Sequence, residues 1–182
     1  MKLLSPARNR LLLKVTGWPR VGFLQALLPK AKFVHVYRDG RAVASSFLNV
    51  KWWSGWRGPD NWSWGDLSLD QRQRWERSGR SFAALAGVQW ELLMEAHEQA
   101  LGGLHREDYM EIRYEALCDS PVESVRSILE FWGLDFNDCF ARHLSRFSFK
   151  NVNNEWRDRL GPMEARKLEK AIADSLAQWG YE

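Results

Sequence analysis

The chain has 182 residues, a length that suits one domain with a sizeable core. Hydrophobic residues make up 45% and charged residues 27%, with a formal net charge of +3. That balance suits an anionic ligand, and no Lys/Arg block of the kind that grips nucleic acid occurs. No apolar run is long enough to span a membrane, the apolar part of Met1–Pro6 is too short for a signal peptide, and Cys118 and Cys139 lie in no CxxC or paired-His pattern, so free thiols are expected rather than a disulfide or a metal site.

In chain order, Leu11-Leu12-Leu13-Lys14-Val15-Thr16 is a short apolar run that Gly17 and Pro19 close early, and it predicts a buried strand. Val21, Leu24, Leu27 and Leu28 recur at helical spacing up to Pro29. Lys32 to Tyr37 is the clearest strand, apolar on both faces as a buried parallel strand requires. Arg38-Asp39-Gly40 turns the chain, and Arg41 to Asn49 reads as a helix. Residues 11–49 therefore predict a strand–helix–strand–turn–helix unit with parallel strands and a right-handed crossover.

Residues 51–66 are rich in Trp, Gly and Ser and read as an irregular loop; the chain carries eleven tryptophans in all. A long helix follows, capped by Ser68 or Asp70, with Trp75, Phe82, Leu85, Gln89, Leu92, Leu93 and Ala96 on its buried stripe. Gly79 interrupts it and Gly102-Gly103 end it. Tyr109 to Tyr114 predicts a third strand. Ser120-Pro121-Val122-Glu123 predicts a capping box opening a helix that Gly133 ends. Gly161-Pro162 opens a last helix with Leu168, Ile172, Leu176 and Trp179 on one side. Three strands are few for a parallel sheet under helices, which usually has about five or six.

The stretch that carries chemistry is Phe33 to Phe47. A buried strand delivers Arg38 to the C-terminal edge of a sheet, where α/β proteins bind ligands. The following helix points its N-terminus to the same place, which favours an anion. Arg38 adds a charged donor fork matched to phosphate, and Ser46 offers a hydroxyl. Arg38 and Asp39 forming a loop ion pair, with Ser46 a surface hydroxyl, is the alternative reading of the same residues. His35 reads as a core residue, and His97, His105 and His143 have no constellation around them.

This stretch resembles the 3′-phosphate signature of the sulfotransferases that use 3′-phosphoadenosine 5′-phosphosulfate (PAPS). That signature is an apolar strand, then Arg-Asp/Asn-Pro/Ala-Arg/Lys-Asp-Val, then Ser and an aromatic. Its Arg and Ser are eight apart, as are Arg38 and Ser46; Gly40 and Ala42 replace the usual Pro/Ala and Asp. The resemblance implies that Arg38 and Ser46 bind the 3′-phosphate. Glu111 to Leu117 resembles the family's Tyr-Glu-Asp-Leu segment, which implies a place for Tyr114 beside the adenine, against packing in the core. Phe149 to Arg157 resembles a late basic loop, which implies that Lys150 reaches the 3′-phosphate. Lys14-Val15-Thr16 matches a Lys-Thr-His run without its His. Lys14 is thus the candidate catalytic residue at the sulfuryl group, or a strand-end lysine facing solvent.

The implied fold is α/β, a three-layer parallel sheet with helices on both faces in the P-loop NTPase-like sulfotransferase form. A single domain is expected over 1–182, N-terminally truncated, because no Gly-rich 5′-phosphosulfate loop precedes Leu11. The implied reaction moves a sulfuryl group from PAPS to a hydroxyl or amine of a small-molecule or carbohydrate acceptor, without a metal, nucleic acid or membrane span. A cytoplasmic location is expected, with room for a targeting segment upstream. The Trp-rich segment 51–66 reads as a cover for the acceptor or as a satellite core. The competing readings are a kinase-like nucleotide binder and a non-catalytic remnant of the same fold.

Overall fold

The computed structural model describes residues 10–181; residues 1–9 and Glu182 lie outside them, and with them the reading of the signal peptide at Met1–Pro6. Strand β1 (Phe33–Tyr37) forms where the branched and aromatic residues concentrate. It pairs in parallel with β2 (Tyr109–Arg113), from Phe33 opposite Tyr109 to Tyr37 opposite Arg113. Among the described residues these two strands make the sheet. The architecture is α/β with a parallel sheet, as expected.

The strand predicted at Leu11–Thr16 is not formed. The segment makes no ladder bonds, and Leu12 is 74% exposed. β propensity is realised only against a paired neighbour, and this run has none among the described residues. The unit expected over 11–49 is therefore replaced by a longer crossover, in which residues 38–108 carry the chain from β1 to β2.

That crossover is helical. Helix α1 (Val21–Leu27) precedes β1, and α2 (Gly40–Leu48) follows it. The Trp-rich segment is irregular, with short 3₁₀ turns at Gly55–Arg57 and Pro59–Asn61. Helix α3 (Leu69–Arg77) opens on a capping box. The Ser68 hydroxyl accepts from the Gln71 N–H at 3.2 Å, and Gln71 Oε1 accepts from the Ser68 N–H at 2.9 Å. Positive φ at Gly79 and Arg80 breaks the run, and Ser81 caps α4 (Phe82–Gly102). The predicted long helix is thus two helices.

Beyond β2 the chain forms α5 (Tyr114–Asp119), α6 (Pro121–Phe131), α7 (Asp138–Leu144), α8 (Glu155–Ala171) and α9 (Ala173–Gln178). The capping box expected at Ser120 is absent. Ser120 closes α5, donating its N–H to the Ala116 carbonyl, and its side chain caps nothing. Helix α8 begins before Gly161, whose φ of 73° kinks it ahead of Pro162.

Helix α4 is the axis of the core. Ala83 to Glu91 are buried on every side of it, while Phe82 lies 41% exposed against Trp56, off the expected stripe. Leu168, Ile172 and Leu176 of α8–α9 pack on it as their spacing predicts. Two glycines permit the approach. A Cβ on Gly87 would lie 2.4 Å from Leu168, and one on Gly40 would lie 2.5 Å from the Trp90 ring. The Glu91 carboxylate, 3% exposed, accepts from Gln71, Arg74 and Ser175, tying α3, α4 and α9 together. Cys118 is buried and Cys139 exposed, both free.

His35 of β1 is a core residue, as expected, and hydrogen-bonds Glu111 across the ladder at 3.2 Å. His97 is not isolated: its ring stacks on His35 at 4.5 Å, and its Nε2 donates to the Gly17 carbonyl at 3.1 Å. Burial pulls both imidazoles below their ordinary value of 6.5, and the Glu111 contact offsets this only in part for His35. The folded chain keeps these rings neutral while the unfolded chain takes up protons below pH 6.5, so their contribution is complete above that pH and is lost as pH falls. The thermal midpoint is expected to drop between pH 7.5 and 5.5. His97→Phe, which keeps a stacking ring and removes one titration, should flatten the drop; an unchanged pH slope would refute the assignment.

Candidate functional site

The C-terminal ends of β1 and β2 deliver adjacent residues to one edge of the sheet. Tyr37 is the last residue of β1 and Arg38 leaves the strand beside Tyr114, the first residue of α5. The Arg38 guanidinium lies over the Tyr114 ring at 4.5 Å. Its Nε donates to Asn153 Oδ1 at 3.0 Å. Asn153 is held in turn: its N–H donates to Asn151 Oδ1, and Asn151 Nδ2 donates to Asp119 Oδ1, both at 3.1 Å.

Asp39 and Arg41 form a second, separate unit. Asp39 is 4% exposed and caps α2 by accepting from the Arg41 N–H at 2.8 Å. The same carboxylate takes Arg41 Nε at 3.0 and 3.2 Å and Nη2 at 2.8 Å. Arg41 also reaches Glu169 of α8 at 3.5 Å and lies over the Trp156 ring. Burial pulls the Arg41 pKa down, but the hydrogen bonds and charge of Asp39 more than offset this, so the guanidinium stays charged. The Asp39 N–H donates to Glu115 Oε1 at 3.2 Å.

This arrangement corrects one expectation. The start of α2 carries the carboxylate of Asp39, with that of Glu115 on the adjoining amide, so its N-terminal charge already has anionic partners. The Arg38–Asp39 ion pair of the alternative reading is not formed, because Asp39 pairs with Arg41. Among the described residues no carboxylate lies within salt-bridge distance of Arg38, and its Nη1 and Nη2 have no hydrogen-bond partner. A fixed guanidinium with two free nitrogens can grip a phosphate or another oxyanion.

Ser46 is exposed near the end of α2. Lys150 is 80% exposed and lies 3.6 Å from Glu155, on the loop that also supplies Asn153 to Arg38. Lys14 is exposed on the irregular segment before α1, and no hydrogen bond among the described residues joins it to this edge. Arg38 and Tyr114 are thus in contact, the Lys150 loop adjoins them, and Lys14 stands outside the contacts described. Asn153 and Glu115 were not foreseen. Their parts depend on long-range contacts that spacing does not encode.

The sequence profile described as the sulfotransferase family matches residues 7–138. The chain belongs to the sulfotransferase family. The match takes in Lys14, Arg38, Ser46 and Tyr114, and Lys150 falls beyond it. No curated protein matches the chain. Among solved structures, a sulfotransferase domain from the curacin biosynthetic pathway superimposes with a TM-score of 0.53 at 17% identity, over 89% of this chain and 58% of that one. At that identity the likeness shows the sulfotransferase fold, and the chain spans little more than half the length of that structure.

The buried pair yields a direct test. Asp39→Ala would leave the Arg41 charge buried with only the more distant Glu169, and breaking a buried pair from one side costs about 3–5 kcal/mol. Urea denaturation should show a loss of that order. A loss below about 1 kcal/mol would mean that Arg41 finds water.

Proposed function

We propose that this chain belongs to a PAPS-dependent sulfotransferase and holds the 3′-phosphate of the nucleotide. The parent reaction transfers a sulfuryl group to a hydroxyl or amine and releases 3′,5′-ADP. The acceptor's oxygen or nitrogen bonds to sulfur, the sulfur–oxygen bond to the 5′-phosphate breaks, and the acceptor's proton leaves. Membership of the family supports sulfuryl transfer in general. The single observation that carries the nucleotide reading is the contrast between two arginines three residues apart: Arg41 is neutralised by Asp39 and Glu169, and Arg38 has no carboxylate partner among the described residues.

In this reading Arg38 gives two N–H donors to the phosphate, Ser46 and Lys150 add donors from α2 and the late loop, and Tyr114 lies beside the adenine. Lys14 is assigned the contact with the transferring sulfuryl oxygens, on the resemblance of its segment alone. The acceptor would meet exposed ring faces. Trp52 is 61% exposed and lies 5.9 Å from Phe47, next to Ser46, and 6.3 Å from Trp64. Such faces suit a sugar or another ring-bearing acceptor. Free thiols at Cys118 and Cys139 fit a reducing compartment such as the cytoplasm.

Titration with 3′,5′-ADP, read by tryptophan fluorescence, tests the assignment. Saturable binding is expected, with 5′-AMP far weaker. Arg38→Ala should weaken 3′,5′-ADP about 10- to 100-fold, the equivalent of about 1.5–3 kcal/mol for hydrogen bonds to a charged group. Equal affinity for 5′-AMP, or an Arg38→Ala variant that binds as the parent does, would overturn it.

A further inference from the structure

We propose that Tyr181, acting through Glu115, is a positioning residue for Arg38, so that the 179–181 segment sets how strongly the chain prefers a nucleotide bearing a 3′-phosphate. This rests on the nucleotide reading above. The motif that carries Arg38 does not contain the parts that fix its turn. The turn's first amide, the Asp39 N–H, is held by Glu115 Oε1 at 3.2 Å. The other oxygen of that carboxylate accepts from the Tyr181 hydroxyl at 3.1 Å. One carboxylate therefore bridges the backbone next to Arg38 and a side chain 66 residues further along the chain from Glu115.

The 179–181 segment is itself gripped at the same sheet edge. Arg113, the last residue of β2, donates to the carbonyls of Trp179 at 2.9 Å and Gly180 at 3.0 Å, and to the Tyr37 hydroxyl at 3.3 Å. Its guanidinium also lies over the Tyr181 ring at 5.0 Å. Tyr37 meets Trp179 at 5.3 Å and Tyr181 at 6.4 Å. The strands' last residues thus clamp the segment, and Tyr181 returns the constraint to the turn through Glu115. Tyr181 is 8% exposed, and burial together with the Glu115 carboxylate keeps its hydroxyl protonated, hence a donor.

Glu115 also follows Tyr114, whose ring lies against the Arg38 guanidinium. Loosening Glu115 therefore frees Arg38 from two sides, at the turn's backbone and at the stacking ring. A guanidinium that must find its place on binding loses affinity for the group it contacts and not for the rest of the ligand.

The test compares affinities for 3′,5′-ADP and for 5′-AMP, the latter by displacement at millimolar concentration, well below the thermal midpoint of each variant. Tyr181→Phe should cut the preference for 3′,5′-ADP about 3- to 10-fold and leave 5′-AMP unchanged. Glu115→Gln keeps an oxygen to accept from the Asp39 amide and puts an amide N–H, which cannot accept, in place of the oxygen that accepts from the Tyr181 hydroxyl. It should reproduce the effect, and the double variant should add nothing further; if Tyr181→Phe does not fold, Glu115→Gln gives the same reading. Arg38→Ala, which should cut the preference about 10- to 100-fold, is the reference. Collapse in Arg38→Ala with no change in Tyr181→Phe and Glu115→Gln sinks this inference and leaves the nucleotide reading standing. Equal weakening of both ligands, or a lower thermal midpoint with an intact preference, also sinks it, since either marks a merely structural role. An unchanged preference in Arg38→Ala overturns the nucleotide reading and this inference with it.

Discussion

The corner between β1 and α2 depends on one carboxylate. Asp39 caps the helix, neutralises Arg41 and anchors that guanidinium over the Trp156 ring, all from a position that is 4% exposed. A lone carboxylate in such a place would be costly, and so would a lone guanidinium. Each therefore requires the other, and together they fix where the strand ends and the helix starts. Because Asp39 is consumed by Arg41, Arg38 leaves the same turn without a counter-charge. The unpaired arginine follows from the paired one.

The rest of the core holds this corner against α4. Gly40 lets the turn approach the Trp90 ring at a distance that no side chain would permit, and Gly87 does the same for α8. The family pattern has Pro or Ala where this chain has Gly40, and the contact with Trp90 accounts for the departure. Arg41 reaches Glu169 on α8, so the corner, the central helix and the late helix form one packed unit. Buried ionic groups of this kind add little net stability over well-packed apolar ones. Their effect here is geometric: they leave one arrangement in which all the charges are matched.

Much of this was legible in the sequence because it is local. Branched and aromatic residues mark β1, Ser68 and Gln71 spell out a capping box, and Gly79 marks the break between α3 and α4. Leu168, Ile172 and Leu176 trace the face of α8–α9. What failed was what depends on partners. Leu11–Thr16 has the composition of a strand and no neighbour to pair with among the described residues. Ser120 has the sequence of a cap and is spent closing the helix before it. The tryptophans divide by environment: Trp53 and Trp75 enter the core while Trp52 and Trp56 stay exposed, and composition does not distinguish them. The family resemblance singled out Arg38 and Tyr114 separately, one for the 3′-phosphate and one beside the adenine, and their contact emerges only in the folded chain. Asn153, Glu115 and Tyr181 lie in segments that carry the resemblance, but their parts in orienting Arg38 come from contacts between elements far apart in the chain, which the segments taken singly do not encode.

A net charge of +3 does not explain anion recognition, since surface lysines and arginines without partners are common in any mildly basic chain. Arg38 differs from them in what has been removed before a ligand arrives. A free arginine side chain holds about 2 kcal/mol of rotamer entropy, which binding must overcome. Here Asn153 holds Nε, the Tyr114 ring lies 4.5 Å from the guanidinium carbon, and Glu115 holds the backbone one residue on. Only the two outer nitrogens are left without partners among the described residues. A diffuse positive surface attracts any anion, whereas a fixed fork rewards a phosphate presented at one place and angle. Selectivity at this edge therefore resides in the supports of Arg38 as much as in Arg38 itself.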